Sequence, residues 1–324
     1  MSGEAVLDVT GLETRFGTPD GVVHAVNGVS FELRAGEFLG VVGESGSGKS
    51  VTMMSLLKLI PMPPGEIPNG SAEFEDADLL ELSPSELRKV RGGQVGFIFQ
   101  DPMTSLNPVL TIGKQLSEPV MLHTGASRKE AKVRAIELLD LVGVPEPRRR
   151  ASQYPHEFSG GMRQRAMIAM ALVCNPKILI ADEPTTALDV TIEAQILELL
   201  ESIKSEFNMS MIYISHDLAV IGEISDRILV MYLGRVVESG VADEVIDNPL
   251  HPYTRALLKS IPKIDQPIES LEPIEGSIPS PFEVHTGCPF YSRCTERLGE
   301  ICLRQKPDNK TYNNGHTVSC HLHA

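Results

Sequence analysis

No run of about 18 apolar residues occurs in this sequence of 324 residues. The longest candidates, around AMIAMALVC and ILIA, fall short of a bilayer crossing, so the chain is expected not to span a membrane. The start, MSGEAVLDVTGLETRF, lacks a basic opening, an apolar stretch and a small-residue cleavage site, and no secretion signal is read there. Positive charge is in deficit: 29 Lys and Arg stand against 43 Asp and Glu, a net charge of -14. That balance argues against a nucleic-acid groove as the main working surface and suits basic partner surfaces better. Cysteine is scarce as well, with five residues, and in the reducing, cytosolic setting implied by the missing leader structural disulfides are not expected. Yet four of the five fall between positions 288 and 320.

What is present is a 42% hydrophobic composition, enough for a substantial core. The length predicts a main globular unit of about 250 residues with an appendage. Near the front, VLDVTGLE and HAVNGVSFEL alternate apolar and polar residues as strands do, and EFLGVV then runs into GESGSGKS. The order is buried strand, tight turn, helix. Gly43, Gly46 and Gly48 permit the backbone angles that turn successive N–H groups toward phosphate oxygens. Glu44, Ser45 and Ser47 complete the loop, Lys49 supplies a point charge, and Ser50 is a candidate Mg²⁺ ligand. The following helix, SVTMMSLLKLI, aims its positive end at the same anion.

Further on, NPKILIADEPTTALD reads as a buried strand ending in two acids. Asp182 is placed to hold Mg²⁺ through its water shell, and Glu183 to orient or deprotonate an attacking water. Alone, such a strand end is as often a solvated surface feature; its pairing with the phosphate loop favours the nucleotide reading. Between the two stands EFSGGMRQR, in which Ser159, Gly160 and Gly161 present backbone donors and a helix start to an anion.

Together these stretches resemble the ATP-binding subunits of ABC transporters, with EFSGGMRQR matching that family's signature loop. The resemblance covers essentially the whole chain. It implies an α/β fold: a P-loop NTPase (RecA-like) core with an N-terminal antiparallel β region, an inserted helical subdomain and a small Cys-rich C-terminal extension. The core is expected over residues 1–100 and 160–240, the helical subdomain with the signature loop at its end over 101–159, and the extension over 241–324. By the same resemblance Gln100, in FIFQDP, is the glutamine that contacts Mg²⁺ and senses a transmembrane partner. His216, in MIYISHD, is the switch histidine at the γ-phosphate, and Asp189, in TALD, reaches the opposite subunit. Phe16 stacks on adenine, with His24 as the alternative. One departure is Met162, where the signature usually ends in Gln. Cradle and signature lie on opposite edges of a subunit in that family, so a full site takes two chains closed by ATP. Helices are expected over SRKEAKVRAIELLDLVGV, with Ser127 and Glu130 as a capping box and Val133, Ile136 and Leu139 on one face. A second runs over TIEAQILELLESIKSEF, with Ile192, Ile196, Leu199 and Ile203 along one stripe.

From NPLHPYTRALLKSIP onward proline becomes frequent and periodicity weakens, which reads as a linker with little core. HPYTRALL and the tail resemble the C-terminal extension of the oligopeptide and dipeptide importer branch. Cys288, Cys294, Cys302 and Cys320 are separated by five, seven and seventeen residues, wider than the spacing of zinc fingers. Four thiolates in so small a segment point to a staple. A four-iron [4Fe-4S] cluster, which some of the resembling subunits hold, is the leading reading. Zinc, recruiting His285, His316, His321 or His323, and free or oxidised thiols stay open beside it. Cys174 is expected to be a small core residue on the helix after the signature.

The resemblance therefore implies an ATPase coupled to transport, at the cytoplasmic face of the membrane as a peripheral subunit, driving uptake of oligopeptides or dipeptides. Implied partners are a second ABC ATPase subunit, a paralogue giving a heterodimer, two transmembrane permease subunits, and indirectly an extracytoplasmic peptide-binding protein; no nucleic acid is implied. Nickel, a glycopeptide or an antimicrobial peptide are alternative cargoes. A soluble ABC protein of translation or repair is disfavoured by the single cassette.

Overall fold

The structure, a computed structural model, describes residues 4–101, 105–185, 190–260 and 274–324. In chain order the strands are β1 (Ala5–Thr18), β2 (Gly21–Arg34), β3 (Phe38–Val42), β4 (Gly65–Phe74), β5 (Ala77–Asp78), β6 (Val95–Ile98), β7 (Ile178–Asp182), β8 (Ser210–Ser215), β9 (Arg227–Tyr232), β10 (Arg235–Val241), β11 (Asn309–Thr311) and β12 (Thr317–Ser319). The chain divides into two compact units, residues 1–81 with 213–324, and residues 82–212.

The first unit holds a sheet of order β2-β1-β4-β5, antiparallel throughout. Alternation explains it: Leu7 and Val9 are buried while Asp8 between them is exposed. The β1–β2 ladder runs from Ala5 opposite Arg34 to Thr18 opposite Gly21, with register shifts on the way. The same unit holds the run β11-β12-β10-β9-β3, in which β3 and β9 are parallel and the other pairs antiparallel. All five residues of β3 are buried, as the unbroken apolar run FLGVV requires of a strand covered on both faces.

The extension is more than a linker. Helices Ala242–Asp247 and Pro252–Lys259 follow β10. The terminal hairpin β11–β12 then joins the sheet, with Val318 opposite Glu238 and Thr317 opposite Ser239. Glu238 is buried and ties three segments together. Its carboxylate accepts from Leu250 N–H at 2.7 Å, His251 N–H at 2.8 Å and His316 Nε2 at 2.7 Å. The weak periodicity of this region hid that packing, because short elements bury single residues such as Val318 and Tyr253 rather than a stripe.

In the second unit β6 and β7 pair in parallel. Helix Arg128–Leu141 starts on a complete capping box formed by Ser127 and Glu130. Its buried face is Ala131, Ala135, Leu138 and Leu139, while Val133 is 50% exposed. Two alanines, invisible to a search for bulky residues, mark the side that packs on helices Ile112–Thr124 and Gly160–Leu172. Along helix Val190–Phe207 the buried positions are Ile196, Leu200 and Ile203. Cys174 is half-buried in the turn just beyond helix Gly160–Leu172 rather than on it. Among the described residues no helix is long and apolar enough to cross a membrane.

Candidate nucleotide-binding site

The phosphate loop leaves β3 and enters helix Lys49–Leu56, with Gly43 and Ser47 buried and Ser45 and Gly46 exposed at its tip. Gly48 caps the helix at φ 96°, and a Cβ there would stand 2.5 Å from the Ala25 carbonyl oxygen. A Cβ on Gly43 would meet the Met231 carbonyl oxygen at 2.2 Å. The backbone therefore passes where only glycine fits. Lys49 is buried, its ammonium donating to the Gly43 carbonyl at 2.7 Å and the Glu44 carbonyl at 3.1 Å. Ser47 Oγ is buried without a hydrogen-bond partner. An orphaned hydroxyl, an enclosed ammonium and a loop without room for side chains fit a phosphate chain; Ser50, next to Lys49, is half-buried.

In the same unit His216 is exposed in the turn after β8. Asp217 next to it caps helix Leu218–Ile224 by accepting from Ala219 N–H at 2.8 Å, which fixes the turn. Phe16 and His24 lie on opposite faces of the β1–β2 ladder, because Phe16 pairs with Val23 and His24 with Arg15. One base cannot stack on both.

In the second unit Asp182 ends β7 and is buried. Glu183 follows in a left-handed conformation, φ 43°, that turns the chain sharply out of the strand. Its Oε2 accepts from Gln100 Nε2 at 3.0 Å, so these two candidates meet directly. Ser159 caps helix Gly160–Leu172, its Oγ accepting from Met162 N–H at 3.3 Å. A Cβ on Gly160 would find open space, so the chain's own packing does not require glycine at that exposed helix start. Asp189 lies outside the described residues.

Several residues were not anticipated. Gln164, buried on the signature helix, donates its side-chain amide to the Pro184 carbonyl and so anchors the turn holding Glu183. Thr185 Oγ1 donates to Glu193 Oε1 at 2.8 Å just beyond it. In the extension, Tyr253 is fully buried and its hydroxyl accepts from Glu44 N–H at 2.8 Å. Burial pushes that phenol well above its ordinary pKa, so it stays neutral. A buried Gln in a helix gives no periodic signal, and the contact of Tyr253 spans 209 positions.

Cys288, Cys294, Cys302 and Cys320 line one small pocket together with His251. Burial, reinforced by the other three thiols, pushes Cys288 up to about 12. The His251 imidazole, held down to about 3 by burial, then by Arg255 and His323, accepts from Tyr253 N–H at Nδ1 and has no partner at its buried Nε2. Three histidines considered for zinc are engaged elsewhere: His316 with Glu238, His321 with the Gln305 carbonyl at 2.8 Å, and His323 with the Leu250 carbonyl at 3.1 Å. Among the described residues no group of three His, Cys, Asp or Glu side chains stands close enough to hold a metal ion.

Residues 26–186 match the family described as ABC transporter. The oligopeptide transport ATP-binding protein OppD of Escherichia coli K12 is 52% identical over 307 residues, covering 95% of this chain and 90% of the relative. The chain belongs to the ABC transporter family. Its phosphate loop lies inside the family match, and residues 237–302 match the description oligopeptide/dipeptide transporter, C-terminal region. The dipeptide transport ATP-binding protein DppD of Bacillus subtilis is 49% identical over 319 residues, covering 98% of this ABC transporter ATPase and 95% of the relative. Among solved structures, the dimeric post-hydrolysis state of the ATP-binding cassette MJ0796 with ADP and Pi superposes with TM-score 0.65. It is 29% identical and covers 73% of this chain and 98% of that one.

Proposed function

We propose that this chain binds and hydrolyses ATP to drive import of oligopeptides or dipeptides through a membrane permease. The observation that carries the reading is the joining, in one chain, of an ABC phosphate loop and a peptide-transporter C-terminal region. Lys49 and the loop N–H groups of residues 43–50 would bind the phosphates, with Ser50, Asp182 and Gln100 holding Mg²⁺ when it is bound. Magnesium supplies charge neutralisation at the phosphates. Glu183, oriented by Gln100, takes a proton from the attacking water, and His216 donates a hydrogen bond to developing charge. Ser159, Gly160 and Gly161 serve the nucleotide of a second ATPase subunit, with Asp189 at the same junction; the open space at Gly160 suits a close backbone approach. Phe16 or His24 stacks on adenine.

The second subunit is a paralogue, the pair sits on two permease subunits at the cytoplasmic face of the membrane, and an extracytoplasmic protein delivers the peptide. Closure on two nucleotides and opening after hydrolysis transmit the stroke through the segment around Gln100. Vesicles containing the assembled transporter are expected to take up labelled peptide only with ATP and the cognate binding protein; ATP turnover without any peptide uptake would sink the cargo reading.

The four thiols line one pocket, but no three of them stand close enough in this arrangement to hold a metal ion, so the cluster reading rests on their grouping in one small segment alone. A [4Fe-4S] cluster would staple the extension, its thiols ionising as it binds. Chain purified anaerobically is expected to carry about four irons with matching acid-labile sulfide and visible absorbance. Zinc without sulfide, or no metal at all, would overturn the cluster.

A further inference from the structure

The extension makes a partly buried ionic contact with the phosphate loop. Arg293 closes the short 3-10 turn Tyr291–Arg293, which is set between two of the clustered cysteines. Tyr291 N–H donates to the Cys288 carbonyl at 3.1 Å, and Cys294 N–H to the Tyr291 carbonyl at 3.3 Å. The Arg293 side chain is 3% exposed and lies 5.9 Å from the ring centres of Tyr232 and Phe290. Its guanidinium grips Glu44 with both arms, Nη1 to Oε2 at 2.6 Å and Nη2 to Oε1 at 3.0 Å. The other donors are spent on the Ile274 carbonyl at 3.1 Å, the Glu275 carbonyl at 3.1 Å and the Tyr232 hydroxyl at 3.4 Å. All five N–H groups of the fork have acceptors.

Glu44 is the second residue of the phosphate loop. Its N–H is drawn to Tyr253, another residue of the extension, and its carbonyl accepts from Lys49 Nζ at 3.1 Å and from Ser47 N–H at 3.1 Å. The Glu44 side chain and amide are therefore fixed by the extension, while its carbonyl is bonded to the ammonium that meets the phosphates. Exposed ion pairs contribute little, but a bidentate pair with an enclosed guanidinium holds its partner in one geometry.

We infer that Arg293 is a positioning residue for the phosphate loop: by clamping Glu44 it orients the backbone that carries Lys49, so that ATP affinity depends on how the cysteine-bearing extension is folded. The inference rests on reading Gly43–Ser50 as the ATP loop. It gives the extension a role at the nucleotide, with the 3-10 turn as the lever and Glu44 as its point of action.

The test uses the full chain, with equilibrium binding of a fluorescent ATP analogue in the presence of Mg²⁺ and thermal unfolding measured in parallel. Arg293→Ala and Glu44→Gln are each expected to weaken binding about tenfold. The double variant should be no weaker than either single one, because both remove the same contact. Arg293→Lys keeps the charge but not the fork and should fall between. A purely structural Arg293 would lower the melting temperature of its own variants and leave the affinity of Glu44→Gln unchanged, which overturns the inference; additive losses in the double variant overturn it as well. Should Arg293→Ala fail to fold, Glu44→Gln alone decides. If the unaltered chain binds no nucleotide, the reading of the loop falls; if it binds and the variants match it, only the clamp falls.

Discussion

Glu183→Gln is expected to bind ATP as tightly as the unaltered chain, to turn it over about 10²- to 10⁴-fold more slowly and, mixed with its second ATPase subunit, to accumulate as an ATP-bound pair. The substitution keeps side-chain volume and leaves an amide oxygen to accept from Gln100 Nε2, now 3.0 Å from the carboxylate. What it removes is the base. The turn itself should persist, because Gln164 holds the Pro184 carbonyl and β7 delivers Asp182 independently of the Glu183 charge. Single-turnover hydrolysis and size-exclusion chromatography with ATP and Mg²⁺ read the two effects separately. Near-normal turnover would remove Glu183 from the chemistry.

Lys49→Met should lose ATP affinity by at least about a hundredfold while the fold survives, measured by equilibrium nucleotide binding and by circular dichroism. The lysine stem is buried in the loop, and methionine fills much the same volume. The ammonium is a different matter. It bonds the Gly43 and Glu44 carbonyls, and those oxygens would face an anion without a cation between them once it is gone. Unchanged affinity would mean that backbone donors alone hold the nucleotide.

The phosphate loop was legible because its chemistry is local: glycine spacing, a buried strand and a helix start all fall within about a dozen residues, and backbone geometry follows from residue type. The pair at the end of β7 was legible as residues but not as geometry, since nothing in ADEP announces that Glu183 adopts φ 43° or that Gln100 bonds it. The helix face of Arg128–Leu141 was placed in part: Leu139 is buried, but Val133 is exposed, because bulk marks burial poorly where Ala131 and Ala135 are the residues that a close neighbour selects. The extension was least legible. Its decisive contacts join residues 249 positions apart, as Arg293 and Glu44 do, and a pairing of that reach leaves no periodic trace in either segment.

The hairpin β11–β12 has a further consequence for the sheet it joins. Without it, β10 would end the array with bare N–H and C=O groups, an invitation to pair with another chain. The strand that ends the array instead, β11, is three residues long, exposed and carries Lys310, a poor template for such pairing. A chain cut just after β10, at residue 241, would therefore be expected to self-associate through that uncovered border, whatever became of its ATP site.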